Sequence, residues 1–195
     1  MGWWTKDRRV YAVDFLVNNG LSPWGAAALV SRWANVESVA RGPTAVNPGK
    51  DHAFGIAQWL GARKAGIYPN TNFDAQLAYA VDELQRPESR DTGRGYQILQ
   101  TATNADQGAV GATMFERAEH YNSNTGRDDY TSRTASGAPS ILAEWQASSG
   151  NTSLLSNNLT SNETGAANVT ALGLGTGAIL GIALGAVALY LIFSD

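Results

Sequence analysis

Residues 32–67 read RWANVESVARGPTAVNPGKDHAFGIAQWLGARKAGI, and the rest of the chain is organised around them. The stretch opens on a helical pattern in which Val30, Trp33 and Glu37 stand at i, i+3 and i+7, so one face of a helix carries all three. A carboxylate among apolar side chains loses solvation for its charged form, which raises its pKa. That is the requirement for a general acid working near neutral pH. A loop rich in Gly, Pro and Asn follows at 41–50, and the chain re-forms as Gly55-Ile56-Ala57-Gln58-Trp59, where glycine lets a backbone come close to a ligand. A buried acid, a polar loop and an aromatic beside an amide outline a sugar-cleaving cleft.

Upstream, Thr5 is placed to cap a first helix running to about Asn19, with Val10, Val13 and Val17 on one face and Gly20 as its stop. Ser22 and Pro23 start a second helix, predicted over 23–38 with Glu37 in its last turn, where the helix dipole adds to the rise in its pKa. Downstream, Asn72 caps a helix whose stripe is Phe73, Leu77, Val81 and Leu84, ended by Arg86-Pro87. A shorter helix is predicted over 96–101. Thr103 and Asp106 resemble a capping arrangement that opens a helix to about Glu119. Two weaker helical pieces fall at 128–133 and 139–146. Strand signals are thin apart from a small hairpin at 54–58. Residues 1–146 thus read as one mainly helical domain.

Composition changes beyond that point. All 14 Lys and Arg lie at or before Arg133, and the formal net charge of the chain is −3. No one-signed basic face is indicated, so nucleic acid is not an expected partner. Cysteine is absent, which excludes disulfides, thiolate metal sites and cysteine nucleophiles. Residues 147–170 turn to Ser, Asn, Thr, Gly and Ala, a flexible-linker composition. Residues 171–193 carry no charge, enough for a transmembrane helix of roughly 34 Å. Within them Gly173, Gly177, Gly181 and Gly185 recur at every fourth position, a face suited to self-association in a lipid bilayer. At the other end, Met1 to Trp4 is too short a run before Lys6 to be a secretory signal. Trp3 and Trp4 read as a hydrophobic anchor on the domain.

The order Glu37, Pro43, Asn47, Gly55-Ile56-Ala57-Gln58-Trp59 and the basic helix at Arg63 resembles the phage tail lysozyme family of the lysozyme-like superfamily. The resemblance spans about 11–121 and includes Asp74-Ala75-Gln76-Leu77 and Phe115-Glu116-Arg117. It implies a lysozyme-like α+β fold, mainly α with at most a small hairpin, and peptidoglycan as substrate. It also implies that Glu37 is the catalytic acid.

Each site residue has a plainer alternative. Glu37 lies four residues before Arg41, so a structural ion pair is open to it. Asp51 is the natural second carboxylate for a two-acid glycosidase, or an ordinary loop Asp beside Lys50. Gln58 and Trp59 would bind glycan through amide and indole, with Asn47 beside them, although Trp59 suits a core equally well. His52 and His120 are the only histidines. They form no His-Glu-x-x-His pair, so neither a metal nor a cofactor is expected. Glu116, Glu119, Asp128 and Asp129 read as a solvated acidic face.

The expected activity is that of a membrane-anchored muramidase cleaving the β-1,4 bond between N-acetylmuramic acid and N-acetylglucosamine. Lytic transglycosylase chemistry is the close alternative, and an oligomeric pore or structural protein with a glycan-binding head the distant one. With no signal peptide to export the head, the internal membrane of a phage virion is the expected location, and the host inner membrane the alternative.

Overall fold

The computed structural model describes residues 2–39, 41–47, 52–86, 90–116 and 121–149. The Ala-rich segment after Ser22 forms the central helix, α2 (Pro23–Arg32), in which every residue from Gly25 to Arg32 is buried. Its start is set as the sequence requires. The Ser22 side chain accepts from Gly25 N at 3.0 Å, and Pro23 takes the first position, where a missing N–H costs nothing. Small residues let neighbours close in. A Cβ on Gly25 would lie 1.9 Å from the Leu99 carbonyl oxygen, so no other residue fits there without moving a helix.

Around α2 pack α1 (Lys6–Asn18), α5 (Arg90–Thr101), α6 (Ala105–Glu116) and α7 (Thr131–Ser149). The short α3 (Gly61–Ala65) and the amphipathic α4 (Phe73–Gln85) complete the helices. Leu16, Leu29, Trp33, Leu77, Phe115 and Trp145 are among the side chains of one continuous core. Trp4 joins it and donates its indole N–H to Ser38 Oγ at 2.9 Å, while Trp3 packs edge-on against Phe73, so the N-terminal tryptophans do anchor on the domain.

Most predicted helices stand where the sequence put them. Thr5 does precede α1 but makes no side-chain cap bond, and four further differences follow. The second helix has the expected span, but its last five residues, Trp33–Glu37, form a π-helical turn. The fourth long helix begins at Arg90 instead of 96. The start of α6 is capped by Asn104, whose side chain accepts from Gln107 N at 3.0 Å. Gln107 in turn accepts from Thr103 N at 2.9 Å, a reciprocal pairing one residue away from the predicted one. The two weak pieces near the end of the domain are a single helix, α7, which runs through Pro139 and on to Ser149, three residues into the expected linker. Packing outweighs the proline here: Ser31 Oγ donates to the Thr134 carbonyl at 2.8 Å, and Ala138, Ile141 and Leu142 are buried.

No strand forms among the described residues. The predicted hairpin is reduced to isolated bridges, Val46 with Phe54 and Phe54 with Trp59. No helix among the described residues is long and apolar enough to cross a membrane. The predicted span at 171–193, with its glycine face, and most of the predicted linker lie outside the described residues.

Candidate active site

The π turn at the end of α2 decides where Glu37 points. In an α-helix, residues five apart lie about 140° from each other round the axis. Ser38 N instead bonds the Trp33 carbonyl at 2.9 Å, closing a five-residue turn that brings Glu37 back over Arg32. Arg32 Nε donates to Glu37 Oε1 at 2.7 Å. The partner of Glu37 is therefore Arg32, five residues before it, and not Arg41. The Glu37 side chain is 13% exposed, whereas that of Arg32 is fully buried.

Arg32 has a second carboxylate partner. Its NH1 donates to Asp128 Oδ1 at 3.1 Å and its NH2 to Asp128 Oδ2 at 2.7 Å, the two-pronged geometry that suits a guanidinium to a carboxylate. Asp128 Oδ1 also accepts from Tyr130 N and from Thr131 Oγ1, which builds the start of α7 around it. The Asp128 side chain is fully buried.

A parallel arrangement lies beside it. Trp33, wholly buried, donates its indole N–H to Glu116 Oε1 at 2.6 Å. The other Glu116 oxygen is 3.9 Å from Arg63 NH2. Arg63 in turn makes two bonds, at 2.9 and 3.0 Å, to Glu83, and Glu83 also accepts the indole N–H of Trp59 at 2.6 Å. Six charged side chains from α2, the π turn, α3, α4, α6 and the turn before α7 thus converge within the fold.

Their charges do not balance. Two guanidiniums, Arg32 and Arg63, face four carboxylates, Glu37, Glu83, Glu116 and Asp128, so full ionisation would leave two uncompensated negative charges in a largely dry site. Protonation relieves the imbalance, and the environment favours it at some of these carboxyls over others. Burial pushes the Glu37 carboxyl up, and the charge of Arg32 and its single bond offset this only in part, while the charge of Asp128 adds to the rise. Burial pushes Glu116 up to about 8, against the pull of Arg63, with the nearby Glu37 charge adding to the rise. At Asp128 burial works the same way, but the two bonds and the charge of Arg32 outweigh it and hold that carboxyl below its usual range. Asp128 is therefore the carboxyl of this group that is held as an anion, whereas burial favours the protonated form at Glu37 and Glu116. Of these two, Glu37 has the more exposed side chain.

The other predicted site residues fare differently. Trp59 is a correction: it is fully buried, packs edge-on against Tyr79 and has its N–H held by Glu83, so neither ring face is open to a sugar. Gln58 is half-buried at φ +49°, and its amide donates to the Gly55 carbonyl at 2.9 Å within its own turn. Asn47 is exposed, and its N–H donates to the Ala53 carbonyl at 2.9 Å. Asp51 lies outside the described residues. The glycine of the Gly55 run meets its own protein and not a ligand: at φ +80°, a Cβ there would stand 2.7 Å from Gln76 Oε1 and 2.8 Å from the Trp59 ring. Gln76, fully buried, accepts from Ile56 N and donates to the Pro43 and Asn70 carbonyls, stitching the loops together.

The acidic face predicted for Glu116 and Asp128 is overturned too, since both side chains are buried and paired. Asp129 is exposed, as expected, and Glu119 lies outside the described residues. A signal for Glu116 existed in the sequence. It follows Ala112, Met114 and Phe115 on an apolar helix, the same pattern that marked Glu37.

A family model described as phage tail lysozyme matches residues 7–138. Neither a curated protein nor a solved structure gives a significant match.

Proposed function

Because this chain belongs to the phage tail lysozyme family, we propose that it is a phage peptidoglycan-degrading glycosidase with Glu37 as its catalytic acid. The reading is a muramidase, cleaving the β-1,4 bond between N-acetylmuramic acid and N-acetylglucosamine. One observation carries the assignment: of the two carboxyls in the cluster that burial pushes up, Glu37 is the one with a partly exposed side chain, 13% against 2% for Glu116. In this mechanism the Glu37 proton passes to the glycosidic oxygen as the C1–O bond breaks and positive charge develops at the ring carbon. The carboxylate left behind already has Arg32 Nε in place to bear its new charge.

Two ways of quenching the sugar cation follow. Water gives hydrolysis; the muramic 6-hydroxyl gives a 1,6-anhydro end, with Glu37 taking back a proton in either route. Mass spectrometry of the digest separates them. The side chains of Asp128, Glu83 and Glu116 are engaged with Arg32, Arg63 and two indoles. This favours chemistry by one carboxyl in place of a two-acid pair, with Asp51 kept as the proposed partner should a second acid be needed. Asn47 and Gln58 remain the proposed glycan contacts on the loop side.

The test is Glu37→Gln. The amide keeps an acceptor for Arg32 Nε and changes the shape little, so the fold is retained, but it cannot supply the proton. Activity on purified peptidoglycan is expected to fall by about 10²–10⁴-fold with glycan binding kept. Undiminished lysis by the variant would refute the enzyme reading and favour a pore or structural role.

The proposal extends to the rest of the chain. The stretch after α7, up to residue 170, serves as a linker and the uncharged 171–193 as a membrane anchor, with self-association through its glycine face. The location proposed is the internal membrane of a virion, from which the head opens the wall during genome delivery.

A further inference from the structure

Asp128, 91 positions beyond Glu37 in the sequence, builds the start of α7 and also shares Arg32 with Glu37. Arg32 has one charge and three donor positions facing carboxylates. Asp128 takes both terminal nitrogens, and Glu37 is left with Nε. We propose that Asp128 is a positioning residue for the reaction at Glu37: by gripping both prongs of Arg32 it turns Nε toward Glu37 and withholds from it most of the cation's compensation. The inference rests on the reading of Glu37 as the proton donor.

The physical argument is one of competition. A carboxylate alone with a buried guanidinium would take the two-pronged pairing itself and hold its negative charge readily. Such a carboxylate makes a poor proton donor. A rival anion on the same guanidinium removes that stabilisation, and its own negative charge opposes a second one nearby. The groups facing Glu37 are Arg32 from α2, Arg63 from α3, Glu116 from α6 and Asp128 from the turn before α7. Arg63 is itself occupied by Glu83. Glu116 holds its own proton up to about pH 8. At neutral pH Asp128 is thus the anion that sets how much of Arg32 reaches Glu37. Rigid placement on both sides makes the competition effective, since Arg32 is wholly buried and Asp128 is fixed by three further bonds, from Tyr130 N, from Thr131 Oγ1 and from its own N–H to Thr131 Oγ1.

The sign is definite. Glu37 acts in its protonated form, so activity is lost on the alkaline side as its proton leaves. With Asp128 neutralised, Arg32 turns to Glu37, the proton leaves earlier, and the alkaline limb of kcat/KM moves to lower pH. The plateau on the acid side is kept.

The experiment measures the pH profile of peptidoglycan cleavage by the full-length protein and by three variants. Asp128→Asn keeps the shape and an acceptor for the start of α7. Asp128→Ser also removes the charge and provides a hydroxyl suited to capping a helix. Both should move the alkaline limb down by about one pH unit or more, roughly tenfold in activity at a fixed pH beyond it. Asp128→Glu, which restores the charge, should return the limb toward its original place. A limb unmoved in the neutral variants, with only the melting temperature lowered, overturns the inference and leaves Asp128 as a helix cap. Failure of both neutral variants to fold overturns it as well, because Asp128 is then a residue of the fold alone. Glu37→Gln separates the levels: if that variant stays active the functional reading falls too, and if it is dead while the limb stays put only this inference is lost.

Discussion

Replacing Glu116 with Gln should stabilise this protein, and increasingly so as the pH rises. Glu116 is buried, and its carboxyl is pushed from an ordinary 4.5 to about 8. Between those values the folded state holds a proton that the unfolded chain releases. Unfolding therefore sheds a proton, and stability falls with rising pH at up to about 1.4 kcal/mol per pH unit. It is fully present below 4.5 and levels off above 8. The loss across the whole interval is of order 5 kcal/mol, a large part of the ~5–15 kcal/mol that holds a domain together. The amide of E116Q would have no proton to release. Its carbonyl still accepts the Trp33 indole N–H, which in the native protein stands 2.6 Å from the Glu116 Oε1, so the contact that shapes the site survives. Glu37 remains in both proteins. Denaturant unfolding of wild type and E116Q at pH 5, 6.5 and 8 is the assay. The two should be close at pH 5, and the variant should be ahead by several kcal/mol at pH 8. A stability difference that does not change between pH 5 and 8, or a wild type that grows more stable over that window, would refute the reasoning that Glu116 is buried with its proton.

Two other outcomes are expected. Trp59→Phe removes the indole N–H that Glu83 accepts. It should lower stability by about 1–3 kcal/mol and leave the KM for glycan unchanged; a raised KM in a variant of wild-type stability would restore Trp59 to the sugar-binding surface. Purified virions should contain the full-length chain, released with the lipid fraction by mild detergent. Its presence in infected-cell membranes with none in washed particles would move the proposed function to host lysis.

What could be read from the sequence was local. The cap at Asn72, the proline start of α2 and the stripe of α4 each depend on residues within a few positions of one another, and each stands as expected. Glu37 was legible for the same reason, because its apolar neighbours precede it in the same helix. The groups that set its chemistry were not. Arg32 and Asp128 are 96 residues apart and Trp33 and Glu116 are 83 apart, and no periodicity relates them. Charge on Glu116 and Asp128 suggested solvent, since isolated carboxylates rarely leave water; the two arginines inside the site are what permit it. Trp59 was ambiguous because burial and sugar-stacking ask for the same side chain, and only the position of Glu83 decides. Pro139 suggested two helices where there is one, because the cost of a proline is local and the gain from packing α7 along α2 is spread over its length.

The wide turn at Trp33–Glu37 has a meaning for how relatives of this chain should be compared. An α-helix brings residues four apart onto one face, whereas here the arginine and the acid are five apart and still meet. A relative whose acid follows its arginine by four residues could therefore build the same pair from an ordinary α turn. Laid beside this sequence, it would show a one-residue gap at the least expendable point of the molecule. Matching columns of letters would put its acid out of step with Glu37, while matching the arginine, the acid and their shared aspartate would put it in register. In this turn, the count of residues and the kind of helix can compensate for each other, and the spatial pairing is the quantity to align.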